Sequence, residues 1–137
     1  MNGEIEAGLE AAIRTVEGFE DVEIILGCFG GAPAGGAKWI EIAAEEADVV
    51  TDGLFRGQIQ IGLNTPADPG DTGAEAQHRA DSETLLNFLL DRAALKTAFA
   101  SDAVTLIGSS VTSTTEASAD GVWQFFVALS AGIEPAS

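Results

Sequence analysis

Leu54-Phe55-Arg56-Gly57-Gln58-Ile59-Gln60-Ile61-Gly62-Leu63 is the stretch that decides the fold. Gly57, Ile59, Ile61 and Leu63 fall on one side of an extended chain, and Arg56, Gln58, Gln60 and Gly62 on the other. A two-residue period of this kind predicts a strand in a sheet with one buried and one wet face. Immediately upstream, Glu45 to Gly53 is acidic and turn-like. Before it, Lys38 to Ala44 alternates again, with Ile40, Ile42 and Ala44 set against Trp39, Glu41 and Ala43, and reads as a partner strand.

The N-terminal part of the chain supplies a helix. Ile5, Leu9, Ala12, Ile13 and Val16 recur at helical spacing over residues 2–17. Asn2 is placed to cap this helix, Glu4 and Glu6 suit its positive end, and Gly18 is placed to stop it. Val22 to Leu26 reads as a short strand. Downstream of the deciding strand, Asn64 to Gly73 is a Pro/Gly/Asp loop. Thr72 and Glu75 have capping-box spacing, so a helix is expected from Gly73 to Asp91, packing through Leu85, Leu86, Phe88, Leu89 and Leu90. Asp91 is placed to cap a short further helix carrying Leu95 and Phe99. Two strands close the chain: Ala103 to Thr115, then Val122 to Ala131 with Trp123, Phe125, Val127 and Leu129 facing inward. Glu116 to Gly121 is the expected turn between them. The fold expected is α+β: a single domain, residues 1–137, with an antiparallel or mixed sheet of four to five strands and two helices on one face. The loops 27–38 and 64–73 are read as insertions.

Charge restricts the function. Six Lys and Arg stand against 22 Asp and Glu, a net charge of −16, well beyond the magnitude of about 2–8 that keeps a small domain soluble. Such a chain does not offer a basic surface to nucleic acid, nor a patch for anionic lipid. No basic residue follows Lys96. Acidity of this degree suits a high-salt habitat, a lining that DNA passes without sticking, or cation binding. One cysteine, Cys28, rules out an internal disulfide, and one cysteine with one histidine makes a poor soft-ligand metal site. The acidic start lacks the character of a secretory signal. The longest apolar run, Val122 to Ile133, is too short for a bilayer-spanning helix. The expected location is therefore the cytoplasm of the producing cell, without membrane contact.

The motifs that could carry chemistry fail on their spacing. Gly31 and Gly36 have the separation of a phosphate loop. However, Ala37 precedes Lys38, Trp39 replaces the hydroxyl residue, and no helix follows. His78, Asp81 and Ser82 are successive positions of one helix, which does not align a nucleophile with its base. The acidic clusters at residues 17–23, 45–52 and 68–75 lack the alternating ligands of a calcium loop and read as solvated surface. Neither catalytic residues, a cofactor nor a metal is expected. Trp39 and Trp123 read as core residues rather than sugar platforms.

One resemblance spans nearly the whole chain. It rests on the amphipathic start Ile5 to Val16, and on the strand pair Trp39-Ile40-Glu41-Ile42 and Gln58-Ile59-Gln60-Ile61. The helix end Leu85 to Leu90 and the closing strand Trp123-Gln124-Phe125-Phe126-Val127 complete it. In this order the elements resemble the tail terminator family of long-tailed bacteriophages and their prophages. The resemblance implies a structural virion protein without catalytic residues. It implies a hexameric ring of identical subunits that caps the tail tube and joins it to the head connector. The partners implied are further copies of the chain, the tail tube protein and the head–tail connector proteins, and the implied location is the tail or neck of a virion assembled in the host cytoplasm. DNA would pass through without being bound specifically, and an acidic lumen would repel it. The residues expected at partner contacts are Phe29, Lys38, Trp39, Arg56, Gln58, Gln60, Asp68 and Asp71, which lie in the two Gly/Pro-rich loops and on the polar strand face. The competing readings are another neck component, a tail tube subunit, a small acidic binding module of a halophilic or marine organism, or an enzyme with dispersed carboxylates.

Overall fold

A computed structural model of the chain describes residues 2–27, 37–45, 48–51, 53–67, 72–119 and 121–135. The elements run α1 (Asn2–Ile13), β1 (Glu23–Leu26), β2 (Trp39–Ala44), β3 (Asp48–Thr51), β4 (Leu54–Pro66), α2 (Thr72–Leu90), α3 (Arg92–Ala98), β5 (Val104–Ala119) and β6 (Val122–Pro135). The α+β architecture is the expected one. The sheet is mixed and has six strands in the order β1-β2-β4-β6-β5, with β3 paired to the start of β4. Only β1 and β2 are parallel; the other pairs are antiparallel.

Strand β4 is the spine of the sheet. It pairs with β2 through Ile59–Asn64, with β3 through Leu54–Arg56, and with β6 from Phe55 to Pro66. Its Ile59, Ile61 and Leu63 are buried, as their alternation requires, and Arg56, Gln58 and Gln60 are exposed. The buried side faces the helices. Ile5, Leu9, Ala12 and Ile13 of α1, Leu85 and Leu89 of α2, and Leu95 of α3 join Ile40, Ile42, Phe125, Val127, Leu129 and Ile133 in one core.

Several boundaries differ from the sequence expectation, each for a local reason. Helix α1 stops at Ile13 instead of residue 17. The chain tightens there into i→i−3 bonds, Thr15 N to Ala12 O and Val16 N to Ile13 O, and the Thr15 hydroxyl also donates to Ala12 O. The acidic segment after β2 contains strand β3, a third partner for the sheet's spine that exposure on every residue hides from periodicity. Strand β5 extends to Ala119, so the connection to β6 shrinks to Asp120-Gly121. Gly121 takes φ +75° there, as a two-residue hairpin requires. Leu90, expected to pack, is exposed. Asp91 caps α3 as expected, its carboxylate accepting from Ala94 N at 3.1 Å. The side chain of Thr72, and with it the expected capping box, lies outside the described residues.

Gly27, which follows β1, has φ +86° and donates to Ile42 O at 2.8 Å.

Candidate assembly surfaces

The three helices cover one face of the sheet and leave the other face to Trp39, Glu41 and Ala43 of β2, the even-numbered residues of β4, and Gln124, Phe126, Ala128 and Ser130 of β6. Cross-strand register brings these into rows: Ala43, Gln60 and Ala128 in one, Gln58 and Ser130 in another. The lower half of this face is open. Gln58 and Gln60 flank a shallow groove with Glu45 and Ala128, and Gln58 Nε2 donates weakly to Ser130 Oγ at 3.5 Å. Small neutral side chains dominate, and Arg56 is the cation on this part of the face.

The upper half is closed. Trp39, Glu41 and Asn64 are all buried. Asn64 Nδ2 donates to Glu41 Oε1 at 2.9 Å, and Gln124 Nε2 donates to Asn64 Oδ1 at 3.1 Å. This chain of side-chain hydrogen bonds ties β2, β4 and β6 together and satisfies a buried carboxylate. The indole N–H of Trp39 is buried without an acceptor among the described residues. Leaving a buried donor unmade costs about 1–3 kcal/mol. The sequence reading set Glu41 on the face opposite Ile40 and Ile42 and put Asn64 at the start of the loop 64–73; β4 instead runs on to Pro66, and both residues are buried. The only signal for this network was the coincidence of Glu41, Asn64 and Gln124 on one face, visible once the register was known.

Of the residues expected at partner contacts, Arg56, Gln58 and Gln60 stand exposed together on β4. Trp39 is buried above them. Lys38 lies on the opposite face: its Nζ donates to Asp81 Oδ2 at 2.9 Å and sits 5.4 Å from the centre of the Phe19 ring. Phe29, Asp68 and Asp71 lie outside the described residues.

His78, Asp81 and Ser82 are each engaged elsewhere. His78 Nδ1 shares a 2.6 Å hydrogen bond with Thr65 Oγ1 and its ring lies 6.2 Å from that of Trp123. Ser82 Oγ donates back to the His78 carbonyl, and Asp81 accepts from Lys38 and Gln77. Burial pushes the His78 imidazole below its ordinary pKa, against the opposing pull of Asp81 and Glu116. Glu17, Glu20, Asp21, Glu23, Glu45 and Asp48 are all exposed.

Among the described residues the sheet also has free edges. On one side β1 and β3 are outermost, and on the other β5 is, with every residue from Thr112 to Ser118 exposed. An unpaired strand edge is a template for another strand, and proteins that leave one bare commonly blunt it with Lys or Pro. The run Ser113–Ser118 contains neither.

No protein-family model matches the sequence, and no curated protein matches it. Solved structures do match in fold. One is a chain described as "Virion of native gene transfer agent (GTA) particle", with a TM-score of 0.58 at 14% identity, covering 96% of this chain and 96% of that one. A second solved chain, known by a sequence label alone, gives a TM-score of 0.53 at 12% identity over 98% of this chain and 92% of that one. Over nearly its whole length this chain shares the fold of the first of these chains.

Proposed function

We propose that the protein is a structural virion subunit: a tail terminator that assembles as a hexameric ring, caps the tail tube and joins it to the head connector. The observation that carries this reading is the fold shared with a gene transfer agent virion chain over 96% of both. Three features of this chain support it. Among the described residues the sheet has open edges on both sides, as a head-to-tail ring needs. The open sheet face presents Arg56, Gln58 and Gln60 among small neutral residues, a surface able to seat a partner without burying like charges. The net charge of −16 gives a ring whose bore would repel DNA rather than trap it. In this reading the protein works by shape. It stacks on the last ring of the tube and withholds the surface that the next tube ring would need.

A second reading, a tail tube subunit, is favoured by one observation. Strands β4, β5 and β6 are adjacent and 13, 16 and 14 residues long, the kind of extended sheet from which a tube wall is built. Particles produced without this gene product separate the two. Loss of a terminator leaves tubes of uncontrolled length without heads attached. Loss of a tube subunit leaves no tube. Tails of normal length joined to heads would refute both.

A further inference from the structure

The register of the sheet aligns its two opposite edges. Asp48 of β3 pairs with Arg56, Arg56 with Gly132, and Gly132 with Gly108 of β5, in a single row across the molecule. The next row runs Val49, Phe55, Ile133, Leu106. Each edge is bulged at this level: Val50 is the extra residue in β3, and Ile107 the extra residue in β5. Both are exposed aliphatics, Val50 at 49% and Ile107 at 41%, and Val49 beside them is exposed at 68%. Large apolar side chains left open at matching heights on two unpaired edges are a poor arrangement for a lone subunit.

Strand direction and charge agree with this match. β3 runs antiparallel to β4, and β5 runs parallel to it. A β3 strand laid beside β5 of another copy would therefore be antiparallel to it, as are the neighbouring pairs. The β3 side is acidic, with Glu45 and Asp48 exposed. Helix α3, which leads into β5, carries Arg92 and Lys96 one turn apart. Neither is ion-paired among the described residues, whereas Lys38, Arg79 and Arg14 each hold a carboxylate of their own chain. Arg92 and Lys96 offset most of the charge of Asp91, Asp102 and Glu134 nearby. Facing this flank, Glu45 and Asp48 of the acidic edge would meet two cations not engaged in ion pairs among the described residues, which lowers the repulsion between copies of charge −16 relative to a flank without them.

We infer that the occupant of the β5 edge at Ile107 is the β3 edge, Val49 and Val50, of a second copy of this chain, in a head-to-tail contact. This rests on the ring reading above and deepens it by naming the junction. Because the two mating surfaces differ, the contact propagates and can close into a ring, instead of ending at a two-fold dimer.

Cysteine placement tests it. In a Cys28→Ser background, Val50→Cys and Ile107→Cys are made singly and together, with Thr84→Cys on exposed α2 as control, and treated with a short bis-maleimide. All are checked for an unchanged unfolding midpoint, as exposed positions should give. An equimolar mixture of the two single variants is expected to give covalent dimers, each single variant alone none, and the double variant a ladder that stops at the ring. Self-linking of either single variant, or a mixture that links no better than Thr84→Cys, overturns the assignment. A ring of the expected mass that fails to link through these positions overturns the junction and leaves the ring standing. The tail-length experiment tests the terminator role separately.

Discussion

Lys38 and Asp81, 43 positions apart in sequence, meet at 2.9 Å and pin the start of β2 to the middle of α2. The pair is largely shielded, with the two side chains 26% and 12% exposed. The stem of Lys38 also lies by Phe19, which places the ammonium near the ring face. Lys38→Ala removes the charge partner of Asp81 and leaves it Gln77. The expected loss is about 1–3 kcal/mol of stability, read as a lower urea midpoint at unchanged slope. Lys38→Arg should recover part of it.

His78 makes stability depend on pH in a defined window. Its folded-state pKa is depressed by burial. The unfolded chain therefore takes up the proton first as pH falls. The contribution is fully present above the ordinary histidine value near 6.5, and is lost as pH falls through the lower folded value. His78 is the chain's only histidine, so the slope of stability between about pH 5 and 7 is its signature. His78→Gln should flatten that slope while keeping a side chain that can bond Thr65. An unchanged slope would contradict the account.

Gly8 is a glycine in a helix interior, where alanine is ordinarily better by about 1 kcal/mol. Here a Cβ would fall 2.3 Å from Cζ of Phe99. That ring closes the contact between α1 and the end of α3. Gly8→Ala is therefore expected to destabilise, by about 1–3 kcal/mol of overpacking less the propensity gain. Combining it with Phe99→Leu should restore part of the loss. Thermal unfolding of the two single variants and the double variant gives the coupling directly.

These positions show what sequence could and could not reveal. The alternation in Leu54 to Leu63 made the central strand, its buried face and the helix-covered sheet legible, because a half-buried strand writes its environment into every second residue. The α1 stripe and the Asp91 cap were legible for similar reasons. Strand β3 was not: Asp48-Val49-Val50-Thr51 is exposed throughout, so it has no period, and only its β-branched run hinted at extended chain. The hairpin at Asp120-Gly121 carried a known turn signal that the longer Ser/Thr-rich stretch concealed. The Glu41–Asn64–Gln124 network depends on register between strands far apart in sequence, which composition does not encode. The same holds for the alignment of Val50 with Ile107. Lys38 looked like an exposed loop-end cation because its partner lies a whole helix away.

The central claim is a closed ring of identical subunits, and native mass over a range of salt tests it most directly. At about 0.1 M salt the Debye length is about 10 Å, and at about 1 M about 3 Å, so the repulsion between copies carrying −16 each is progressively screened. The account predicts a discrete six-subunit species that gains population as salt rises and grows no further. A monomer at every salt concentration, or open-ended polymers of no fixed mass, would contradict it.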